Sequence, residues 1–304
     1  MNAYKSMTRE DKQRNNKIRR TAGRVLVYGL VFIVLVIILI PYGWMISGSF
    51  KTRLEIQSSD VTREGQEPSW IPRNPTLQNY ALVNETVPMF RYLVNSLITA
   101  SLTMVAATFV SMFAAYAISR FRFKWKQKYR LLLYSTQMFP GIAFLIPYFM
   151  IFTLISRYLH IPMKDTFHGM VLTYTTFALP FCVLLLSSFL EGIPKEIDEQ
   201  AEIDGCSRFQ TVIRIIFPIS LPGITSAGIF AFIMAWNEML FATVLTGNDV
   251  RPVSLGLMEY ITQQQARWGG MMAACIIVSV PVLVFFTFLQ RQIVEGMVQG
   301  STKG

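Results

Sequence analysis

Residues Ile193–Ile224 read IPKEIDEQAEIDGCSRFQTVIRIIFPISLPGI, a polar stretch set between long apolar runs. Its position makes it a loop between membrane spans, yet its residues are those of two helices. Pro194 suits a first helical position, and Glu196, Asp198 and Glu199 crowd the opening turns, where the helix dipole favours negative charge. Gly205 supplies the stop, because glycine enters the left-handed conformation beyond a helix end at least cost. Ser207 and Gln210 then have the spacing of a capping box for a second helix. Phe209, Val212, Ile213, Ile216 and Phe217 give that helix an apolar stripe, and Pro218 and Pro222 end it and lead into the next span. A helix–glycine–helix hinge in the loop of a membrane protein presents a surface to a partner. The competing reading is an amphipathic helix lying on the bilayer. Such helices favour Lys and Arg, whereas the first helix here is mainly acidic.

Working outward, the chain is too apolar for an ordinary soluble protein. Of its 304 residues 52% are hydrophobic, and the mean hydropathy is +0.40. The charged residues cluster between runs long enough to cross a bilayer, which takes about 20 residues each. Six spans are expected, near 25–49, 92–118, 131–155, 169–190, 223–246 and 270–290, in an all-α polytopic membrane protein. Residues 1–24 read as a basic tail and 25–304 as the membrane domain, with the 193–222 loop inside it. The first apolar run is too long for a cleaved signal peptide and is expected to be retained.

The net charge of +10 does not mark a nucleic-acid binder, because its distribution is that of a topology signal. Of the 28 Lys and Arg residues, 19 lie in the tail, between spans two and three, in the 193–222 loop or near the C-terminus. The positive-inside rule therefore places both termini and the loop in the cytoplasm. Phe121, Phe123 and Trp125, interleaved with basic residues beside a span, fit anchoring to anionic headgroups better than base stacking. Cys182, Cys206 and Cys275 have no pairing pattern, so no disulfide is expected. His160 and His168 lack metal-ligand spacing and read as solvated.

The segment from Phe50 to Arg91, with Pro68, Pro72 and Pro75, reads as a structured or extended excursion rather than a helix pair. Ala106, Ala107, Ala114, Ala115 and Ala117 suit close helix packing in span two. Pro140, Pro147, Pro180 and Pro281 read as kinks within spans. Gln137, Thr173, Tyr174, Thr175 and Thr176 can hydrogen-bond across helices or line a wet path.

The spacing Glu199-x-Ala201-x-x-Asp204-Gly205, followed by Pro218 and Pro222, resembles the EAA loop of binding-protein-dependent ABC importer permeases. The whole loop is similar to that of the carbohydrate (maltose-type) branch, second permease subunit. So are NPTLQNY at 74–80, RYLVNSL at 91–97, AAYAISRFRF at 114–123, GNDVRPVSLGL at 247–257, WGGMMAA at 268–274 and QRQIVEGMVQGSTKG at 290–304. Gln200 and Cys206 depart from the pattern, standing where alanine is usual. The resemblance implies a six-helix permease in the cell membrane whose loop docks into a separate ATPase. Glu199, Ala201, Asp204, Gly205, Arg208, Pro218 and Pro222 would make that coupling surface. It further implies a paired homologous permease, two ATPase subunits that bind the ATP and magnesium, and an extracytoplasmic sugar-binding protein. No cofactor would belong to this chain.

By itself the chain reads as no enzyme, since it lacks G-x-x-x-x-G-K-[ST], HExxH and G-x-S-x-G. Three other functions stay open at this stage. They are a permease for a glycerophosphodiester or polyol, a non-transporting scaffold or receptor subunit, and a secondary transporter. The last would favour inverted repeats and several intramembrane charges, and the expected spans hold one acidic residue well inside them.

That residue is Glu238, in Trp236-Asn237-Glu238 of span five. A charge at a helix centre costs roughly 2.5–3.5 kcal/mol on insertion scales, so something must compensate it. One reading puts Asn237 and Glu238 along a sugar path, with Trp236 beside them and Met234 as an adaptable wall. An amide next to an aromatic face matches sugar hydroxyls and C–H faces. The other reading pairs Glu238 with a polar group of a neighbouring helix, away from any substrate.

Overall fold

The computed structural model describes residues 9–58, 69–261 and 267–301; Lys5 of the basic tail and Lys303 lie outside them. The helices are, in order, α1 (Arg9–Ser49), α2 (Arg53–Ser58), α3 (Gln78–Thr86), α4 (Met89–Arg120), α5 (Lys126–Met138), α6 (Leu145–Tyr158), α7 (Phe167–Glu191), α8 (Glu196–Ile203), α9 (Arg208–Thr211), α10 (Phe217–Ile219), α11 (Leu221–Asn237), α12 (Leu240–Leu245), α13 (Val253–Met258) and α14 (Trp268–Ser301). Among the described residues, five stretches are long and apolar enough to cross a membrane: 20–49, 89–120, 141–158, 167–191 and 268–287. A sixth candidate is the pair 208–219 and 221–237, bent by 81°. The all-α, multi-span expectation holds.

Two expected spans are not continuous helices. The run 131–155 is broken at Phe139 and Pro140, which are extended (ψ 132° and 130°), and a 3-10 turn, Gly141–Phe144, leads into α6. Proline disfavours helical geometry in the residue before it, and Phe139 obeys. Pro147, third in α6, sits in a first turn where its missing N–H costs nothing. The run 223–246 ends as a helix at Asn237, because Glu238 is extended (ψ 125°) before α12 begins. By contrast α1, α7 and α14 run through Pro41, Pro180 and Pro281. The excursion after span one, expected to hold no helix pair, carries two short helices, α2 and α3.

The chain divides into two compact units. One comprises Met1–Tyr80 with Trp268–Ala273, the other Ala81–Arg267 with Ala274–Gly304. In the first, Asn79 Nδ2 donates to the carbonyls of Ser49 and Lys51, 2.8 Å each, and Ser49 Oγ meets Tyr80 Oη at 2.8 Å. These bonds satisfy carbonyls at and just beyond the end of α1, where a helix has orphan acceptors.

The second unit is organised around α4, which packs against α7 and α11. At 32 residues α4 is about 48 Å long, at 1.5 Å per residue. The facing surfaces of α4, α7 and α11 carry small residues, as close packing in lipid requires. Ala107, Ala115, Ala178, Ala227 and Ala231 are fully buried, while Ala106, Ala114 and Ala117 are half-buried. Thr173 donates within α7 to Gly169 O (2.8 Å) and Thr176 to Leu172 O (2.8 Å), whereas Gln137 is exposed. Of the polar residues read as a possible wet path, only the Tyr174 and Thr175 hydroxyls are buried without a partner among the described residues.

At the Met89 end of α4, side chains rather than backbone hold the loops. Asn95 Nδ2 donates to the carbonyls of Asp249 and Arg251 (3.0 Å each), and Ser96 Oγ accepts from Val253 N (2.8 Å). Asp165, at a left-handed φ of 54°, accepts from the backbone N–H groups of Asp249 (3.2 Å) and Val250 (3.0 Å). Burial pushes the Asp165 carboxyl up, but backbone donors from Val250, Gly247, Asp249 and Asn248 outweigh it and hold it below 3.8. His160 and His168 are both exposed.

A depressed carboxyl contributes stability above its unfolded value and loses it as pH falls through the lower folded value. Wild type should therefore melt higher than Asp165→Asn in detergent at neutral pH. That gap should close as pH drops below 3.8. A gap that is unchanged across this range would show that the carboxylate charge does not hold the 247–250 loop.

Candidate functional site

The hinge forms as two capped helices. α8 starts two residues beyond Pro194, with Glu196, Asp198 and Glu199 in its first turn. At its end Gly205 takes φ +84°, Gly205 N donates to Glu202 O (3.1 Å) and Cys206 N to Ala201 O (2.9 Å). That pair of bonds is a Schellman motif, which needs the left-handed residue. The expected capping box is present: Gln210 N donates to Ser207 Oγ (3.3 Å) and Ser207 N to Gln210 Oε1 (2.8 Å).

The second helix departs from its expected form. After α9 the chain widens into a π-helical turn, Val212–Ile216, then continues as α10 and bends sharply at Ser220. The extra residue shifts the apolar stripe. Val212 and Ile216 are buried, but Ile213 is exposed, and Phe209 is 65% exposed while its ring lies parallel to Phe113 at 5.9 Å. Pro218 and Pro222 stand early in α10 and α11, where proline is tolerated, so they flank the bend instead of breaking a helix interior.

The predicted coupling residues divide by exposure. Glu199, Asp204, Gly205 and Arg208 face solvent, as do Glu202 and Ile203. Arg208 Nη2 bridges both carboxylate oxygens of Glu202, at 2.9 and 3.1 Å. Ala201 is buried (2%), and it packs on the other face beside Asp198 (4%).

Asp198 is the residue that sequence reasoning missed. Its sequence context marks it only as part of an acidic first turn, yet its carboxylate points inward. Tyr116 Oη donates to Oδ1 (2.8 Å), and Arg120 Nε stands 2.8 Å from Oδ2 as a charge contact rather than an aligned hydrogen bond. Arg120 Nη1 also donates to the carbonyls of Leu190 and Ile193, 3.1 Å each. One guanidinium thus ties the end of α4, the end of α7 and the start of α8. The available signal was the i, i+3 pairing of Asp198 with the small Ala201, set against an arginine ending span two.

The second place of interest is the break after α11. Trp236 is buried and stacks on Phe232 (5.7 Å, 19°), which stacks on Phe285 (4.2 Å, 22°). Asn237 is exposed, with Nδ2 donating back to Ile233 O (2.9 Å). Glu238, expected inside a helix, joins two helices instead. Its Oε1 accepts from Phe241 N (2.9 Å) in the first turn of α12, and its carbonyl accepts from Ser254 Oγ (3.1 Å). Both bonds favour the structural role for Glu238. The charge is placed at a helix N-terminus, which stabilises it. Met234, expected beside Asn237, packs instead on the core cluster that contains Ala227 and Ala231.

Among known proteins, the family described as "Binding-protein-dependent transport system inner membrane component" matches residues 83–299. The chain belongs to that family. It is a multi-pass inner-membrane permease component of an ABC transport system, and the family's proteins are transport subunits rather than enzymes. The chain is 31% identical over 284 residues to the sulfoquinovosyl glycerol transport system permease protein of Agrobacterium fabrum, covering 93% of this chain and 95% of that protein. It is 33% identical over 287 residues to the trehalose/maltose transport system permease protein of Thermococcus litoralis, covering 92% and 97%. A bacterial ABC transporter involved in import of the acidic polysaccharide alginate shares the fold. That structural match has a TM-score of 0.73 at 17% identity, covering 94% of this chain and 99% of that one.

Gly205 gives the loop a test that is independent of any partner. A Cβ added there would meet nothing within 4 Å, so a substitution costs only its backbone strain. Gly205→Ala should cost roughly 1–2 kcal/mol locally, and Gly205→Asn less. Hydrogen exchange at the Cys206 amide should accelerate in that order. Unchanged protection in Gly205→Ala would contradict the Schellman termination.

Proposed function

We propose that this chain is one permease subunit of an importer for a sugar or oligosaccharide delivered by an extracytoplasmic binding protein. It pairs with a second, homologous permease and is driven by two ATPase subunits, which bind the ATP and magnesium. Both termini and the 193–222 loop lie in the cytoplasm, on the strength of the basic residues flanking the spans. The observation that carries the reading is the two-faced hinge. Glu199, Asp204, Gly205 and Arg208 are turned to solvent, while Asp198 and Ala201 on the opposite face are buried. A surface held rigidly from behind and left open in front is suited to dock into another protein. The relatives named for sulfoquinovosyl glycerol and trehalose/maltose support a glycoside as the cargo.

Asn237 is the better candidate for the sugar path, because it is exposed beside a buried aromatic stack and its amide oxygen is left to accept. Glu238 shapes the break that presents it. Glu238→Gln keeps the acceptor for Phe241 N and removes only the charge, so it separates shape from electrostatics.

The test is uptake of labelled trehalose, maltose and diacetylchitobiose by proteoliposomes holding the two permeases, the ATPase and the binding protein. Wild type should import at least one of them in an ATP-dependent manner. Asn237→Ala should assemble and lose or change that uptake, while Glu238→Gln should retain most of it. Assembled Asn237→Ala with unchanged rate and sugar range would remove Asn237 from the path. A binding protein that takes none of these sugars and instead binds a glycerophosphodiester would overturn the sugar assignment.

A further inference from the structure

α4 is held at both ends by buried side-chain contacts, and the two ends serve the two places described above. At the loop end, Arg120 and Tyr116 grip Asp198 of α8, and all three side chains are almost fully buried. Phe113 stacks on Phe209 of α9 nearby. At the other end, Asn95 and Ser96 bind the 249–253 segment, and Ser254, one residue further, donates to the carbonyl of Glu238 at the α11–α12 break. An uninterrupted helix with no internal proline lies between.

A buried ion pair is a poor way to gain stability, because desolvating two charges offsets most of their attraction. Removing either partner strands a charge, however, and here the Tyr116 hydroxyl adds a directional bond to Asp198. Such a contact fixes the position of one element against another more firmly than apolar packing alone, which can slide.

We propose that Asp198, Arg120 and Tyr116 are positioning residues that clamp α8 to α4, so that displacement of the hinge by the ATPase moves α4 as a rigid lever. The far end of that lever carries the 249–254 segment and with it the break at Glu238. This inference rests on the reading of the loop as an ATPase-docking surface, and it assigns the transmission to three residues that contact neither ATPase nor cargo. Exposed α8 residues set docking, and the buried ones set what docking moves.

The measurement is ATP hydrolysed per sugar imported, in proteoliposomes of the complete transporter using the labelled sugar that wild type imports. Three variants are compared after co-purification with the ATPase has been quantified. Tyr116→Phe keeps the ring and the ion pair and loses the hydroxyl's bond to Asp198. Asp198→Asn leaves Arg120 without its counter-charge. Arg120→Met with Asp198→Leu removes both charges, so no unpaired ion is left to disturb folding.

Clamp loss should leave ATPase recruitment near wild type in Tyr116→Phe and in the double variant. The ATP consumed per sugar should rise by about fivefold or more in the double variant, the lower end of ordinary coupling free energies, and by a smaller factor in Tyr116→Phe. A double variant that assembles and imports at the wild-type ratio would overturn the clamp. So would failed assembly of both charge variants with a wild-type ratio in Tyr116→Phe, since the triad would then serve folding alone. A wild-type chain that does not co-purify with the ATPase would overturn the docking reading and the clamp with it.

Discussion

The contact between Arg120 and Asp198 constrains the structure more than any other. A carboxylate and a guanidinium buried together must have their remaining hydrogen-bonding capacity met, or the desolvation penalty is not recovered. Tyr116 and the carbonyls of Leu190 and Ile193 meet part of it, while Arg120 Nη2 is buried without a hydrogen-bond partner among the described residues. Those carbonyls lie at the end of α7 and two residues beyond it, where the chain turns towards α8, and Leu190 O also accepts from Ile193 N (3.1 Å). One side chain therefore solves two problems, neutralising Asp198 and finishing α7. The solution is possible only if α4, α7 and α8 meet at one point. Removing either charge would cost about 3–5 kcal/mol in a comparable buried pair.

The same logic, polar side chains finishing helix ends, recurs away from the loop. Asn95 bonds the carbonyls of the segment before α13, Ser96 receives the first N–H of α13, and Glu238 serves the first turn of α12. Asp165 draws on the backbone of the 247–250 turn. At the α11–α12 break and in the 247–253 segment, backbone groups are met by side chains of α4, of the 159–166 link, or of the break itself. A break supported in this way can lie at membrane depth without stranding polar groups in hydrocarbon.

Much of this was legible in the sequence because it is local. The capping box of Ser207 and Gln210 and the left-handed Gly205 follow from interactions within a few residues. The long apolar helices follow from composition. What escaped reading was non-local or lay in a change of helical period. Asp198 looks like its neighbours Glu196 and Glu199, and only the arrival of α4 from 78 residues earlier in the chain (Arg120 to Asp198) makes it different. The π turn at Val212–Ile216 adds one residue to a turn and so exposes Phe209 and Ile213, which a regular helical stripe would have buried. Pro140 broke its span while Pro180 and Pro281 did not. Periodicity, which reads all three as parts of apolar runs, does not encode that difference. Glu238 was recognisable as an unusual charge, but its role as a cap depends on a helix break that the apolar run conceals.

The central claim is that α8 and the end of α4 move as one body. Spin labels at Ile203, which is 85% exposed, and at the exposed Arg122 report the distance between them without touching the buried triad. The labelled chain would carry serine in place of Cys206, and the distance would be measured by pulsed electron resonance in the full transporter, ATP-free and trapped with ATP. The account predicts one unchanged distance distribution in both states. A shift of the whole distribution between them would mean that the hinge slides over α4, and the buried ion pair would not be the link between loop and membrane helices.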